Sequence, residues 1–122
     1  MADDKGSDFK SNDGNWVSKK HTQESTARFQ ASDAFKALKH KKSVFLGEKK
    51  ILRLLSQDGA IGIRTYIGLD ADDNPQVFMV ALDVEGNEIL RLEKSTREQS
   101  EGLILDDGRW CPPLCEPPGV LG

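Results

Sequence analysis

The stretch AIGIRTYIGLDADDNPQVFMVALDVEGNEILRLE, residues 60–93, decides the fold. In its first ten residues Ile61, Ile63, Thr65, Ile67 and Leu69 fall on one face, and Gly62, Arg64, Tyr66 and Gly68 on the other. A period of two marks a half-buried strand, because successive side chains of extended backbone point to opposite faces. Asp70 to Pro75 reads as a turn. Gln76–Val84 is a second strand, nearly all apolar, which places it at the centre of a sheet with both faces covered. Glu85-Gly86-Asn87 is a tight hairpin turn, and Glu88–Glu93 a third strand. The three form an antiparallel meander with helices expected on one face.

Upstream the period changes to 3.6. Gly47-Glu48 opens a helix whose broad apolar stripe is Ile51, Leu52, Leu54 and Leu55. Val44, Phe45 and Leu46 lead into it from beneath, and Asp58-Gly59 ends it with a glycine suited to a left-handed cap. A shorter, lysine-rich helix is expected from a cap at Ser32 to about Lys42, with Asp33 in its first turn and Phe35 and Leu38 facing inward. Arg28-Phe29-Gln30 reads as a short strand or extended lead-in. Downstream, residues 94–102 read as a loop, Leu103–Leu105 as a fourth short strand and Asp106-Asp107-Gly108 as a turn.

The expected architecture is α+β: two helices packed on a three- to four-stranded antiparallel meander. Residues 1–26 form a polar leader, expected to be mobile, with Trp16 as a plug that docks on the domain. Residues 27–109 form the domain and residues 110–122 a Pro-rich tail. Four prolines within residues 110–118 rule out regular helix or central strand there.

A chain of 122 residues holds one modest core. No run of about eighteen apolar residues exists to span a membrane. The polar N-terminus lacks the apolar segment of a secretory signal, so the cytoplasm is the default location, with signal-independent export left open. The net charge of −3 is unevenly spread: residues 31–55 carry seven Lys/Arg and two Asp/Glu, residues 66–122 four Lys/Arg and twelve Asp/Glu.

Both cysteines stand in Cys111-Pro-Pro-Leu-Cys115. Three readings apply: a disulfide, a metal half-site, or a reduced tail docked through its prolines and Trp110. Extended polyproline geometry would separate the two Cα atoms by roughly 12 Å, whereas a bridge needs about 5.5–6 Å. A disulfide therefore requires the prolines to turn the chain back. Two thiolates do not complete a structural zinc site, and His21 and His40 would supplement them only if the fold brought them close. The spacing is neither a thioredoxin nor a haem-attachment motif.

Asp70, Asp72 and Asn74 match the first three ligand positions of a calcium loop, but Pro75 and Ala81 break its sixth and twelfth, so a solvated turn is expected. Lys36, Lys39, Lys41, Lys42, Lys49 and Lys50, with His40, form a basic face. It reads as a solvated helix face, or else as a site for a polyanion or acidic partner. Arg64 and Tyr66 share a strand face, as a contact patch or as a structural pairing of Arg64 with a nearby acid, and Trp110 is a further contact candidate. No nucleophile motif, glycine-rich phosphate loop or cofactor motif is present.

Gly62-Ile63-Arg64-Thr65-Tyr66, then Asp83-Val84-Glu85-Gly86-Asn87-Glu88-Ile89, then Cys111-Pro112-Pro113-Leu114-Cys115 occur in that order. The set resembles a group of short bacterial proteins of unknown function with a Gly-x-Arg-x-Tyr strand, a Gly-Asn hairpin and a C-terminal Cys-Pro-Pro-x-Cys. The resemblance covers roughly residues 28–115 and implies no activity. The function expected is a non-enzymatic interaction module, an accessory or cargo-like component of a larger bacterial assembly, with an unidentified protein partner, no cofactor, no membrane and no nucleic acid. The alternatives are a redox- or metal-responsive protein using Cys111 and Cys115, and polyanion binding through Lys36–Lys50.

Overall fold

The computed structural model describes residues 8–90 and 103–122. In chain order its elements are α1 (Lys19–Gln30), α2 (Asp33–Ala37), β1 (Ser43–Phe45), α3 (Glu48–Leu55), β2 (Ala60–Leu69), β3 (Pro75–Asp83), β4 (Glu88–Ile89) and β5 (Arg109–Cys111). The fold is α+β, as the alternating and helical periods require. An antiparallel sheet of order β2-β3-β4 stands beside a two-stranded sheet of β1 and β5.

The meander rests on one turn used twice. Asp70 and Asp83 each place a carboxylate Oδ1 on two backbone N–H groups, those of Asp72 and Asn74 in the first turn and of Glu85 and Asn87 in the second. In each, the Asp N–H donates to the Asn carbonyl four residues on, at 2.9 Å, and the fourth residue's N–H donates back to the Asp carbonyl. That fourth residue is left-handed both times: Asp73 at φ 66° and Gly86 at φ 88°. Glycine takes this conformation without penalty, and aspartate tolerates it better than most residues. The carboxylate of Asp70 thus serves backbone donors, which accounts for the acidic turn.

β3 lies between β2 on one side and β4 on the other. Val80, Ala81 and Leu82 are buried, Ala81 completely, so the expected central strand is central. Leu105 bridges Met79 through two bonds of 2.8 and 2.9 Å, on the side of β3 that β4 occupies. It continues the line of β4 and does not add a fourth strand beyond it. Arg91 to Glu93 of the expected third strand, and the loop 94–102, lie outside the described residues, as do residues 1–7 of the leader.

Several expectations need correction. α1 covers Lys19–Gln30, where a leader and an extended Arg28–Gln30 were expected. Its Ser18 cap accepts a bond from the His21 N–H at 3.0 Å, and no residue of the helix is buried. A helix without an apolar face gives no periodic signal, and here the cap and the edge contact of Phe29 on Phe35, 5.3 Å between centroids, hold it instead. Trp16 is fully exposed and is not a plug. α2 stops at Ala37, well before Lys42, because Lys39 and His40 both turn left-handed and the His40 N–H bonds the Phe35 carbonyl.

Val44 and Phe45 do not lead in beneath α3. They form β1, with Ser43, Val44 and Phe45 opposite Cys111, Trp110 and Arg109. Gly108 allows the close approach. A Cβ there would stand 2.6 Å from Val44 Cγ2 and 2.7 Å from the Phe45 carbonyl oxygen. The apolar stripe of α3 is narrower than expected: Leu54 is buried, Ile51 half-buried, and Leu52 and Leu55 exposed. Trp110 and Cys111, at the start of the Pro-rich segment, form β5 together with Arg109.

Candidate functional site

Two places carry functional groups: the outer half of β2 with the sheet face behind it, and the Cys111–Cys115 turn.

On the sheet face, Arg64 of β2 stands opposite Val80, and Glu88 of β4 opposite Leu82. Both side chains rise on the same face and meet over β3. Arg64 Nη1 lies 3.2 Å from Glu88 Oε2, and the Tyr66 hydroxyl donates to the same oxygen. The acid expected near Arg64 is therefore Glu88. The Tyr66 hydroxyl, against partial desolvation, and then Arg64 hold the Glu88 carboxyl below its usual range. Arg64 is raised, by Tyr66 first and then by Glu88. Asp70 is lowered, chiefly by the Asn74 backbone N–H. The ring of Phe9 lies 5.1 Å from the Arg64 guanidinium carbon. A small hollow of about 170 Å³ between Phe9, Lys10, Asp13, Ile61, Gly62 and Leu82 marks where residues 9–13 cross the first half of β2.

The second half of β2 is bare. Thr65 and Tyr66 are exposed, Ile67 is 79% exposed and Leu69 57%. Among the described residues, no strand pairs with the outer edge of β2. The warning was present in the sequence: Thr65 to Leu69 contains no charge and no proline, the usual guards of an edge strand.

Trp110 does not join Arg64 and Tyr66. It is half-buried in β5 and borders a polar cavity of about 300 Å³ with Lys41, Asp70, Asn74, Gln76 and Asp107. The six lysines do not share one helix face. Lys36 is on α2, Lys39, Lys41 and Lys42 are in the connection to β1, and Lys49 and Lys50 are on α3. Lys41 Nζ donates to the Pro112 carbonyl at 2.7 Å. A cleft of about 650 Å³ opens between α3 and residues 103–109, lined by Leu46, Lys50, Arg53, Leu54, Leu105 and Arg109 among others.

Cys111 and Cys115 are joined, with their Cα atoms 4.8 Å apart. The chain turns back through cis peptides at Cys111–Pro112 and Pro112–Pro113, and the Leu114 N–H closes the turn on the Trp110 carbonyl at 2.9 Å. Past the bridge, the Val120 and Leu121 carbonyls accept bonds from Gln23 Nε2 and Thr26 Oγ1, each at 2.7 Å, so the tail docks on α1.

Among the described residues no three of His, Cys, Asp and Glu gather closely enough to hold a metal ion, and no helix is long and apolar enough to cross a membrane. Arg64, Tyr66 and Glu88 satisfy one another, which is the arrangement of a sheet clasp. A carboxyl whose folded pKa is lowered adds stability above its unfolded pKa and loses it as pH falls through the folded value. Glu88→Gln is therefore expected to lower the melting temperature at neutral pH. The gap to the parent should close as pH drops below the reference value of 4.5. An equal gap at pH 7 and pH 3 would contradict the clasp.

No family model matches the chain, and comparisons with curated proteins and with solved structures find no similar protein.

Proposed function

We propose that the protein is a non-enzymatic interaction module that docks a protein partner through the outer half of β2. The observation that supports this is the run Thr65–Leu69, an uncharged and exposed edge carrying Tyr66, Ile67 and Leu69. Such an edge offers unpaired backbone groups together with apolar side chains, the two components of strand-addition recognition. The clasp of Arg64, Tyr66 and Glu88 ties β2 to β4 across β3.

Ile67→Lys is the test. The side chain already faces water, so the substitution leaves the fold intact while placing a charge on the docking edge. Proteins retained by the immobilised parent chain are expected to be lost, by at least tenfold, on the variant. Equal recovery on both surfaces would remove the reading. Deleting residues 116–122, beyond Cys115, is the matched control for the tail.

A second reading, a redox-responsive tail, is supported by a different observation. The bridged turn is what carries the chain from β5 back to α1, where Gln23 and Thr26 hold it.

A further inference from the structure

The cleft of about 650 Å³ between α3 and residues 103–109 sets exposed cations beside apolar walls. We infer that it binds an organic monoanion with an apolar body, of the class of a medium-chain fatty acid carboxylate. None of its lining residues belongs to β2, so this site is separate from the proposed docking edge and stands or falls apart from it.

Two elements build the walls. On α3, Lys50, Arg53 and Leu54 stand at helical spacings of three and four residues, which put them on one side of the helix. In the two-stranded sheet Phe45 pairs with Arg109, and opposed residues of antiparallel strands share a face. Leu46, Leu54 and Leu105, each buried or half-buried, supply apolar surface, and Phe45 adds an exposed ring. The walls are anchored. Leu105 is held to Met79 by bonds of 2.8 and 2.9 Å. Gly108 lies so close to β1 that a Cβ would stand 2.6 Å from Val44 Cγ2. A preformed hollow of roughly 300–1,000 Å³, apolar with a few convergent polar groups, is the common form of a small-molecule site.

Charge decides the sign of the ligand. The side chains of Lys50, Arg53 and Arg109 have no hydrogen bond or ion pair among the described residues. Asp106 and Asp107 line the same cleft, and no ion pair joins them to those cations. Three cations against two carboxylates leave one positive charge in excess. An incoming carboxylate balances it and meets the planar guanidinium forks that hold carboxylates through paired hydrogen bonds. A second negative charge on the ligand would stand against Asp106 and Asp107. A neutral alcohol leaves the excess charge unanswered, and a cationic amphiphile adds to it.

Isothermal titration of the full chain tests the site, with decanoate, decanol and decyltrimethylammonium as probes. Decanoate is expected to bind saturably, one per chain, and more tightly than decanol by about fivefold or more, as a charge-assisted contact does. Decyltrimethylammonium is expected not to bind. Arg53→Gln and Arg109→Gln change exposed, unpartnered side chains. Each should weaken decanoate binding by about fivefold or more with an unchanged circular dichroism spectrum. Asp106→Asn removes an opposing charge and should tighten binding by about twofold or more. Lys36→Gln, on α2 and outside the cleft, should change nothing.

A chain that takes up no decanoate overturns the inference. So does equal affinity for decanol, which would make the cleft a purely apolar surface. A loss on Lys36→Gln as large as on Arg53→Gln overturns it too, since overall charge would then be the cause. Anionic lipid headgroups share the ligand's chemistry, so co-sedimentation with phosphatidylglycerol vesicles is the last arm. A chain that sediments with the vesicles and takes up no free decanoate binds a membrane surface, and the assignment to a free acid falls.

Discussion

Leu54→Ala is expected to cost about 2–5 kcal/mol, as large-to-small changes at closely packed sites do. Leu54 is 2% exposed and is the one buried residue of α3. The other buried apolar residues among those described are Phe35, Pro75, Val80, Ala81 and Leu82. Four of these sit in β3, and α3 packs on β2 and β3, so Leu54 is the peg by which α3 holds the sheet. A domain of this size has about 5–15 kcal/mol of stability in total, so the loss would remove a large part of it. The melting temperature should fall by roughly 10 °C or more. Leu52→Ala on the same helix serves as the comparison, because Leu52 is mostly exposed and should cost well under half as much. Chemical denaturation of both variants decides the matter. Equal costs would mean that α3 is not pegged through Leu54, and the cleft that Leu54 lines would lose its fixed wall.

The parts of the fold that could be read in advance are those whose signal is local. The alternation of Ile61 through Leu69, the apolar run around Val80 and two acidic turns specify a meander with no knowledge of anything distant. The match between Asp70-Ala-Asp-Asp-Asn74 and Asp83-Val-Glu-Gly-Asn87 gains its meaning only from the structure, where each Asp carboxylate caps its own turn. α1 was not legible, because Lys19–Gln30 buries nothing and its polar surface resembles a leader. β1 and β5 were not legible either. Three residues are too few to show a period, and Val44 finds Trp110 only through the whole intervening domain.

The candidate site divides in the same way. That Arg64 and Tyr66 share a face follows from parity alone. That Glu88 is the acid between them follows only from the register across two hairpins, which the turns set. The bare edge follows from an absence, the lack of any charge between Arg64 and Asp70. That absence gains meaning only once β2 is known to lie at the edge of the sheet.

Opening the Cys111–Cys115 bond is expected to cost about 2 kcal/mol and to free the tail from α1. The closed loop is short, so the chain-entropy contribution stays near that value and below the figure of about 3 kcal/mol for a fifteen-residue loop. The structural consequence reaches further than the energy. The Lys42 N–H bonds the Cys111 carbonyl at 2.6 Å and Lys41 Nζ the Pro112 carbonyl at 2.7 Å, so the turn is tied to the residues that enter β1. Beyond Cys115 the chain meets Gln23 and Thr26 of α1, past a turn that the bridge and the Leu114 N–H bond to Trp110 both close. A dithiol reductant would transfer two electrons and two protons, close its own disulfide and leave Cys111 and Cys115 as thiols. The prolines could then extend, and α1, which buries no residue of its own, would keep only its cap and the Phe29–Phe35 contact. Amide exchange measured with and without the reductant should show faster exchange across Lys19–Gln30, with the β2–β3 hairpin unchanged. Thr26→Val separates the two effects, since it removes one docking bond and leaves the bridge intact. It should loosen α1 without weakening the β1–β5 pairing. If exchange in α1 is indifferent to reduction, the bridge is a staple of β5 alone and the redox-responsive reading of the tail falls with it.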